Sequence, residues 1–339
     1  MNLEDKKYSR FALVQEMMQT ADTVSRFDPS CSTAAAEALK ASRRMYMTGE
    51  GSSRIFPAKN AMRKAKRWGL DIDLQTDGSR QSYEYDLSRH TVFCASNSGR
   101  TREVILLAKK LIESGKKDVY GLTACEGTTL SEYCASTHVL GCGWEQAVAA
   151  TKSVVEQGLY YESVLWNYMG VDRKEALSRL PELLLQALSV DIPQWIPEYV
   201  KNAETIYFAG YNDGVAEELT LKTNEITRRK SDFLEGTYAV HGIEEVMQSN
   251  DIVFVIDPIA AEEDKFREVL EQGVGCKVVA ISTHPCSFPT IVVPECEDFQ
   301  TYIYLCAGWN LLVEIGLACG VDLDKPERAR KVGNEFLGK

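Results

Sequence analysis

A strand–loop–helix pattern that occurs twice along the chain is the strongest constraint on its fold. In the first half, a short apolar segment at residues 44–49 ends in glycine and leads into a helix, and a buried strand follows at 90–96. Residues 204–210 and 251–257 repeat these two segments at a similar spacing. Short apolar strands that alternate with helices form parallel sheets with both faces covered. The repeat therefore predicts two tandem, doubly wound parallel-sheet domains.

The length of the chain agrees with two domains. A chain of 339 residues is too long for one ordinary core, and size scaling favours domains of about 150 residues each. We place the first domain at residues 1–175, with an N-terminal helix over 9–41, and the second at 195–339, with a C-terminal tail. The boundary lies near 170–200, where three prolines occur within a short stretch.

Composition excludes several classes of function. The formal net charge of −11 argues against a general nucleic-acid or membrane surface. No apolar run reaches the roughly 20 residues that span a bilayer. The charged N-terminus lacks the apolar core of a signal peptide, so we expect a cytoplasmic protein with ten reduced, mostly buried cysteines. The four histidines share no ligand spacing with a cysteine pair, so we expect no metal.

Two loops of the first half have the composition of an anion site. Residues 49–53 read Gly-Glu-Gly-Ser-Ser, and residues 96–101 read Ser-Asn-Ser-Gly-Arg-Thr. Each follows a strand and opens a helix, where unpaired backbone N–H groups and the helix dipole favour an anion. Taken alone, Ser98 or Thr101 could equally be a helix cap. The second half has Asp-Pro-Ile-Ala-Ala at 257–261 instead, which predicts one active site for the chain.

Neither loop matches a nucleotide-binding motif. The Gly-x-x-x-x-Gly-Lys-Ser pattern is absent, and Gly49-Glu50-Gly51 does not extend to Gly-x-Gly-x-x-Gly because position 54 is arginine. We therefore expect no dinucleotide and no other cofactor.

The paired serine loops resemble those of sugar isomerase (SIS) domains. Two such domains in tandem resemble the isomerase half of glucosamine-6-phosphate synthase and the SIS-type glucosamine-6-phosphate deaminases. Residues 144–153, Trp-Glu-Gln-Ala-Val-Ala-Ala-Thr-Lys-Ser, are similar to a helix start of this family, and the Asp-Lys-Pro at 324–326 is similar to its C-terminal segment. The resemblance implies two flavodoxin-like three-layer sandwiches. It also implies the phosphate-binding residues, which are Ser53, Ser96, Asn97, Ser98 and Thr101; the family usually has glutamine at the position of Asn97.

The resemblance places acid–base residues in the second half. Glu218, Lys222 and Glu225 share one helix face because their spacings are four and three. Spacing alone would make them a surface ion-pair stripe, but the resemblance implies a catalytic helix. His241-Gly242 is similar to the family's His-Gly-Pro. The chain departs from that pattern at Tyr238, which replaces a glutamate, and at Ile243, which replaces the proline.

Each of these residues has an implied role in an aldose–ketose shift. One carboxylate on one face of the sugar can move a proton between neighbouring carbons, and Glu225 is the candidate base. His241 is the candidate for ring opening, because histidine titrates near neutral pH. Lys331 is a candidate for a Schiff base or for ring opening, with an exposed tail lysine as the alternative. In the family this histidine comes from the partner subunit, which implies a homodimer.

The leading functional hypothesis is an isomerase/deaminase that converts an amino-sugar phosphate, such as glucosamine 6-phosphate, to a ketose phosphate and ammonia. The alternatives are a fructosamine-6-phosphate deglycase and a simple aldose–ketose phosphate isomerase. The non-enzymatic alternative is a sugar-phosphate-binding regulator, which would keep the serine loop and lose the acid–base residues.

Overall fold

The computed structural model describes residues 1–338, which divide into two compact units. The N-terminal sheet unit contains Asp22–Gln146, Ala150–Ser178 and residues 328–338. The C-terminal sheet unit contains Met1–Ala21, Ala147–Ala149 and Arg179–Glu327.

Each end of the chain belongs to the opposite unit from the one that the sequence predicts. Residues 1–21 belong with the C-terminal sheet unit because the amides of Ala12 and Leu13 each donate a 2.8 Å hydrogen bond to the carboxylate of Asp324. The tail beyond residue 327 belongs instead with the N-terminal sheet unit.

Each unit contains a five-stranded sheet in which all strand pairs are parallel. The strands are β1 Arg44–Gly49, β2 Asp73–Gly78, β3 Thr91–Ala95, β4 Val119–Thr123, β5 Ser136–Val139, β6 Ile206–Gly210, β7 Ser231–Glu235, β8 Ile252–Ile256, β9 Lys277–Ser282 and β10 Thr290–Val292. The first sheet has the order β2-β1-β3-β4-β5 and the second has β7-β6-β8-β9-β10. Both are the 2-1-3-4-5 order of flavodoxin-like folds, so the predicted pair of doubly wound sheets is confirmed.

Helices surround the sheets. The α-helices are α1 Lys6–Ser9, α2 Ala12–Met18, α3 Thr20–Ser25, α4 Thr33–Ser42, α5 Ile55–Arg67, α6 Ser79–Ser82, α7 Arg102–Glu113, α8 Lys152–Met169, α9 Lys174–Leu188, α10 Trp195–Val200, α11 Val215–Lys222, α12 Glu263–Phe266 and α13 Gln300–Ala318. Short 3-10 turns occupy Pro29–Ser32, Gly51–Ser53, Thr129–Tyr133, Tyr238–Val240, Ile243–Val246 and Ala260–Glu262, and π-helical segments occupy Thr223–Thr227 and Arg267–Val274.

The N-terminal sheet unit is a three-layer sandwich, and alternation along β1 shows why. Met45 and Met47 pack with α4, α5 and α8 on one face of the sheet. Tyr46, between them, packs with α7 on the other face. Successive side chains of a strand point to opposite faces, so a strand that is apolar throughout must be covered on both sides.

The predicted N-terminal helix over residues 9–41 is divided into several shorter segments. A 3-10 turn begins at Pro29, and the side chain of Asp28 caps it by accepting a 3.0 Å hydrogen bond from the amide of Ser30. Proline has no N–H to donate within a helix, and Asp before proline favours a turn, so the periodic apolar pattern is interrupted there.

Helix α13 is long and apolar enough to cross a membrane by length and composition. However, it is mostly buried inside the protein. Gly308 lies so close to α11 that an added Cβ would be 2.4 Å from both methyl carbons of Leu219. These contacts make α13 the core helix of the C-terminal sheet unit, and it holds α11 in place.

Candidate functional site

The two serine-rich loops begin where the strand order of the first sheet reverses. Strands β1 and β3 are neighbours, and the chain leaves them toward opposite sides of the sheet, to β2 and to β4. In doubly wound folds such a reversal creates the ligand-binding crevice at the carboxyl ends of the strands. Gly49, at the end of β1, packs closely against β3: a Cβ there would lie 2.9 Å from the carbonyl oxygen of Ala95 and 3.1 Å from the Cβ of Ser53. The loops at 49–53 and 96–101 therefore leave adjacent strands at closely packed positions.

Three hydroxyl groups converge within the second loop. Ser96 Oγ lies 2.8 Å from Thr101 Oγ1 and 3.4 Å from Ser98 Oγ. Thr101 occupies the N-cap position of α7 but makes no capping hydrogen bond with its side chain. Its hydroxyl faces Ser96 instead, which disfavours the simple cap interpretation for Thr101. We call the loop at 96–101, with these hydroxyls at the start of α7, the serine cradle.

The first loop contributes Ser53, and the carboxylate of its Glu50 is hydrogen-bonded outside the loop. Ser53 is partly exposed at the end of a 3-10 turn. Glu50 Oε1 accepts a 2.9 Å hydrogen bond from the amide of Ser79, at the end of β2. Burial raises the pKa of Glu50 above its ordinary value. The one acidic side chain of this loop is thus engaged at the start of α6.

Asn97, the middle residue of the predicted phosphate-binding set, directs its carboxamide toward α8. Its Nδ2 donates a 2.6 Å hydrogen bond to Ser153 Oγ, and its Oδ1 accepts a 2.7 Å hydrogen bond from Gln157 Nε2. Both ends of the carboxamide therefore contact protein. The sequence analysis identified neither contact. The signal that could have revealed them is the presence of polar residues on α8, a helix that is buried on every face, because buried polar groups need hydrogen-bond partners.

A surface cavity of about 330 Å³ lies beside the serine cradle. It is lined by Ser98, Arg100, Cys125, Gly127, Thr128, Thr129 and Trp144. The Nζ of Lys331 lies 5.6 Å from the centroid of the Trp144 ring, which is within cation–π range. The predicted catalytic lysine therefore lies in the same unit as the serine cradle, against one wall residue of this cavity.

The C-terminal tail is attached to the serine cradle by backbone hydrogen bonds. Glu335 forms an isolated antiparallel bridge with Thr101, and the amide of Phe336 donates to the carbonyl of Arg100 at 2.9 Å. The side chains of Arg100 and Glu335 form an ion pair at 3.0 Å. Phe336 also packs against the apolar core beside α7. The tail and the loop thus support each other, which explains why the tail belongs to this unit.

Gly99 gives a direct test of the cradle's backbone. Its φ is +58°, and an added Cβ would lie 2.3 Å from both the Cβ and the Oγ1 of Thr128. We expect Gly99→Ala to weaken phosphate-ester binding at least tenfold, because the left-handed conformation costs about 1–2 kcal/mol for alanine and the clash adds to that cost. Gly127→Ala is the matched control: its φ is +62°, but nothing lies within 4 Å of the added Cβ. Equal losses in the two variants, measured by calorimetric titration, would show that close packing of the loop is unimportant.

The C-terminal sheet unit contains a buried acid–base cluster at the end of α11. Lys222 Nζ lies 2.7 Å from Glu225 Oε2 and 3.4 Å from Glu218 Oε1. The side chains of Glu218 and Lys222 are fully buried, and that of Glu225 is 27% exposed. A surface ion-pair stripe would expose all three groups. Only Glu225 retains access to solvent, so it is the member of the cluster that a substrate could reach.

Helix α11 changes its winding at this cluster. The α-helix ends at Lys222, and Thr223–Thr227 forms a π-helical turn that contains Glu225. Isolated π turns are rare and occur frequently at functional sites. Arg228 then adopts a left-handed conformation with φ +58°, and its guanidinium donates to the carbonyls of Glu225 and Ile226 at 2.6 and 2.8 Å. The backbone that carries Glu225 is therefore held by specific contacts.

His241 lies outside the ion-paired cluster of Glu218, Lys222 and Glu225. His241 is exposed and follows the 3-10 turn Tyr238–Val240. Within residues 1–338, its side chain makes no hydrogen bond or ion pair. Tyr238, at the position where the family has a glutamate, is 50% exposed. Among the described residues, no group of three or more His, Cys, Asp or Glu side chains is arranged to hold a metal ion.

No protein-family model matches the chain, and no curated protein matches it in sequence. Several solved structures share its fold over nearly the whole length. The C-terminal domain of glucosamine-fructose-6-phosphate aminotransferase from Francisella tularensis superposes with a TM-score of 0.78 at 17% identity, covering 95% of this chain and 100% of that one. Glucosamine-6-phosphate deaminase from Thermotoga maritima gives 0.70 at 18% identity, with 96% and 99% coverage. Tagatose-6-phosphate ketose/aldose isomerase from Escherichia coli gives 0.71 at 16% identity, also with 96% and 99% coverage.

These similarities show that the two-sheet architecture is shared with proteins named for phosphosugar chemistry. At identities below 20% the likeness concerns the fold, and function has to be argued from the site itself.

Proposed function

We propose that this protein is a sugar-phosphate isomerase/deaminase that acts on an amino-sugar phosphate such as glucosamine 6-phosphate. The observation that carries the proposal is the convergence of the Ser96, Ser98 and Thr101 hydroxyls at the start of α7, in the crevice where the strand order reverses. Hydroxyl donors and a helix N-terminus together suit a phosphate dianion. The solved structures with the same fold include proteins named for glucosamine 6-phosphate and tagatose 6-phosphate, which supports this substrate class.

The proposed chemistry moves one proton between two carbons. In the open-chain amino aldose, a base removes the proton from C2 and returns it to C1, and a proton passes from the amine nitrogen to the carbonyl oxygen. The aldehyde thereby becomes an alcohol and the amine becomes an imine. Water hydrolyses the imine, which leaves a ketone at C2 and releases ammonia. Glu225 is the proposed base, because it is the member of the buried cluster that remains partly exposed.

Lys222 and Glu218 are proposed to hold this base in place. The ammonium of Lys222 lies between the two carboxylates and fixes the position of Glu225. Lys331 is proposed to bind the substrate carbonyl or to assist ring opening, as an amine can do when its environment favours the neutral form.

His241 is proposed to open the sugar ring from a second copy of the chain. This role is supported by its exposure and by the exposed apolar side chains on the same loop, Tyr238 and Val246. The proposal therefore includes a cytoplasmic homodimer in which each copy supplies His241 to the other.

A turnover assay tests the proposed reaction. With glucosamine 6-phosphate we expect release of ammonia and fructose 6-phosphate in equal amounts, measured by coupled enzymatic assays. Release of an amino acid from a fructosamine 6-phosphate without ammonia from glucosamine 6-phosphate would identify a deglycase. Interconversion of unaminated aldose and ketose phosphates alone would identify a simple isomerase. Saturable binding of sugar phosphates with no turnover would contradict the enzymatic proposal and favour a regulator.

A further inference from the structure

A chain of hydrogen bonds connects the serine cradle to a buried carboxylate. Glu145 is only 2% exposed and accepts hydrogen bonds from the Thr151 amide at 2.7 Å, from Thr151 Oγ1 at 2.9 Å and from Ser153 Oγ. Ser153 Oγ in turn contacts Asn97 Nδ2 at 2.6 Å, and Asn97 Oδ1 contacts Gln157 Nε2 at 2.7 Å. All of these residues belong to the N-terminal sheet unit.

The donors along this hydrogen-bond chain all point the same way. Ser153 donates its single hydroxyl hydrogen to Glu145. Ser153 Oγ must then accept from Asn97, which orients the amide nitrogen of Asn97 toward α8. The carbonyl oxygen of Asn97 consequently faces Gln157 and requires a donor, which the Gln157 amide supplies. The series therefore runs from Gln157 through Asn97 and Ser153 to the carboxylate, and each bond polarises the next.

Asn97 lies between the two serines of the cradle, Ser96 and Ser98. Its backbone carbonyl also accepts a 2.9 Å hydrogen bond from the amide of Ala124, at the end of β4. Ser96 and Ser98 flank it directly, so rotation of the Asn97 backbone would displace both hydroxyls. The side-chain bonds to α8 remove that freedom before any ligand arrives, which lowers the cost of binding.

We propose that Ser153 is a positioning residue for the serine cradle, and that it acts through Asn97. Asn97 holds the loop at 96–101 in its anion-binding conformation, and its side chain is not itself the principal phosphate ligand. The inference rests on the proposed function, because it assigns a purpose to the cradle. It identifies phosphate affinity as the property that this hydrogen-bond chain controls.

The experiment compares two variants that each remove one hydroxyl donor from Glu145. Ser153→Ala also breaks the contact with Asn97, whereas Thr151→Val does not. Inorganic phosphate is the probe, titrated by calorimetry well below the melting temperature, together with steady-state kinetics on glucosamine 6-phosphate. For Ser153→Ala we expect Kd for phosphate and KM to rise roughly tenfold with kcat within about twofold, since the Asn97 side chain loses one of the two hydrogen bonds that hold it. For Thr151→Val we expect both to stay near the wild-type values.

A double-mutant cycle tests whether Ser153 acts through Asn97. If it does, Asn97→Ala/Ser153→Ala should bind phosphate no more weakly than Asn97→Ala alone. Additive losses would overturn the inference. If Ser153→Ala does not fold, Gln157→Met takes its place. This substitution removes the donor at the other end of the hydrogen-bond chain and is expected to weaken phosphate binding in the same way.

Two outcomes separate the inference from the proposed function. Wild-type protein that binds phosphate, with Ser153→Ala binding equally tightly, would overturn the positioning role and leave the cradle intact. Wild-type protein that does not bind phosphate or glucosamine 6-phosphate would overturn both.

Discussion

Replacing Glu225 with glutamine should lower kcat on glucosamine 6-phosphate by about 10²- to 10⁴-fold, with little change in KM. Glutamine has nearly the same shape as glutamate, but its amide does not accept a proton. Its side chain can still take a hydrogen bond from Lys222, whose Nζ lies 2.7 Å from the carboxylate in the native protein. The loss should therefore fall on the proton-transfer step, and binding of inorganic phosphate should remain at the wild-type level.

Glu268→Gln is the matched control for this substitution. Glu268 also pairs with a lysine three positions away, Lys265 at 3.3 Å, but both side chains are exposed. Its replacement should leave kcat and KM unchanged, because exposed pairs contribute little. A Glu225→Gln variant that retains most of the wild-type kcat would remove Glu225 from the mechanism. A rise in KM alone would indicate that Glu225 contributes to substrate binding instead of proton transfer.

Replacing Lys222 with methionine should lower the free energy of unfolding by about 3–5 kcal/mol, the usual cost of breaking a buried ion pair by removing one member. Glu218 and Lys222 are fully buried, and the substitution removes the ammonium that lies 3.4 Å from the carboxylate of Glu218. Urea unfolding of the two proteins measures the effect.

Lys265→Met provides the comparison for the buried lysine. The ammonium of Lys265 is about half exposed and pairs with Glu268 in solvent. Its loss should change stability by less than about 0.5 kcal/mol. Equal effects of the two substitutions would mean that the Lys222 pair contributes no more than a surface pair. That result would contradict the proposal that the buried cluster holds Glu225 in a defined position.

The fold was largely predictable because its central strands can be recognised in the sequence. Strands β3, β6 and β8 are buried along their whole length, so they appear in the sequence as continuous apolar segments. The edge strands β2 and β7 were not predicted. Both are mostly polar and partly exposed, and a strand that contributes few side chains to the core leaves no such pattern.

The ends of the chain could not be assigned from their position in the sequence. Their place depends on single long-range contacts, such as the amides of Ala12 and Leu13 on Asp324 and the backbone bridge between Thr101 and Glu335. Nothing local in the sequence distinguishes these partners from other acidic or extended residues.

The sequence proposed positions for the candidate site, but not contacts. It indicated the loop at 96–101 and the Glu218, Lys222 and Glu225 face as candidates. Spacings of four and three are the same for an exposed stripe and for a buried cluster, so only burial separates the two. Likewise, the sequence cannot show that the side chain of Asn97 turns toward Ser153, because rotamers depend on packing.

The serine cradle is proposed to bind the phosphate group of a sugar phosphate. Calorimetric titration with glucosamine 6-phosphate and with glucosamine measures this binding, using wild-type protein and a Ser96→Ala/Thr101→Val variant. We expect saturable binding of the phosphate ester by the wild type, at least tenfold weaker binding by the variant, and no measurable binding of glucosamine by either. Equal affinity of the wild type for both sugars, or no effect of the double substitution, would show that the cradle does not bind the phosphate group.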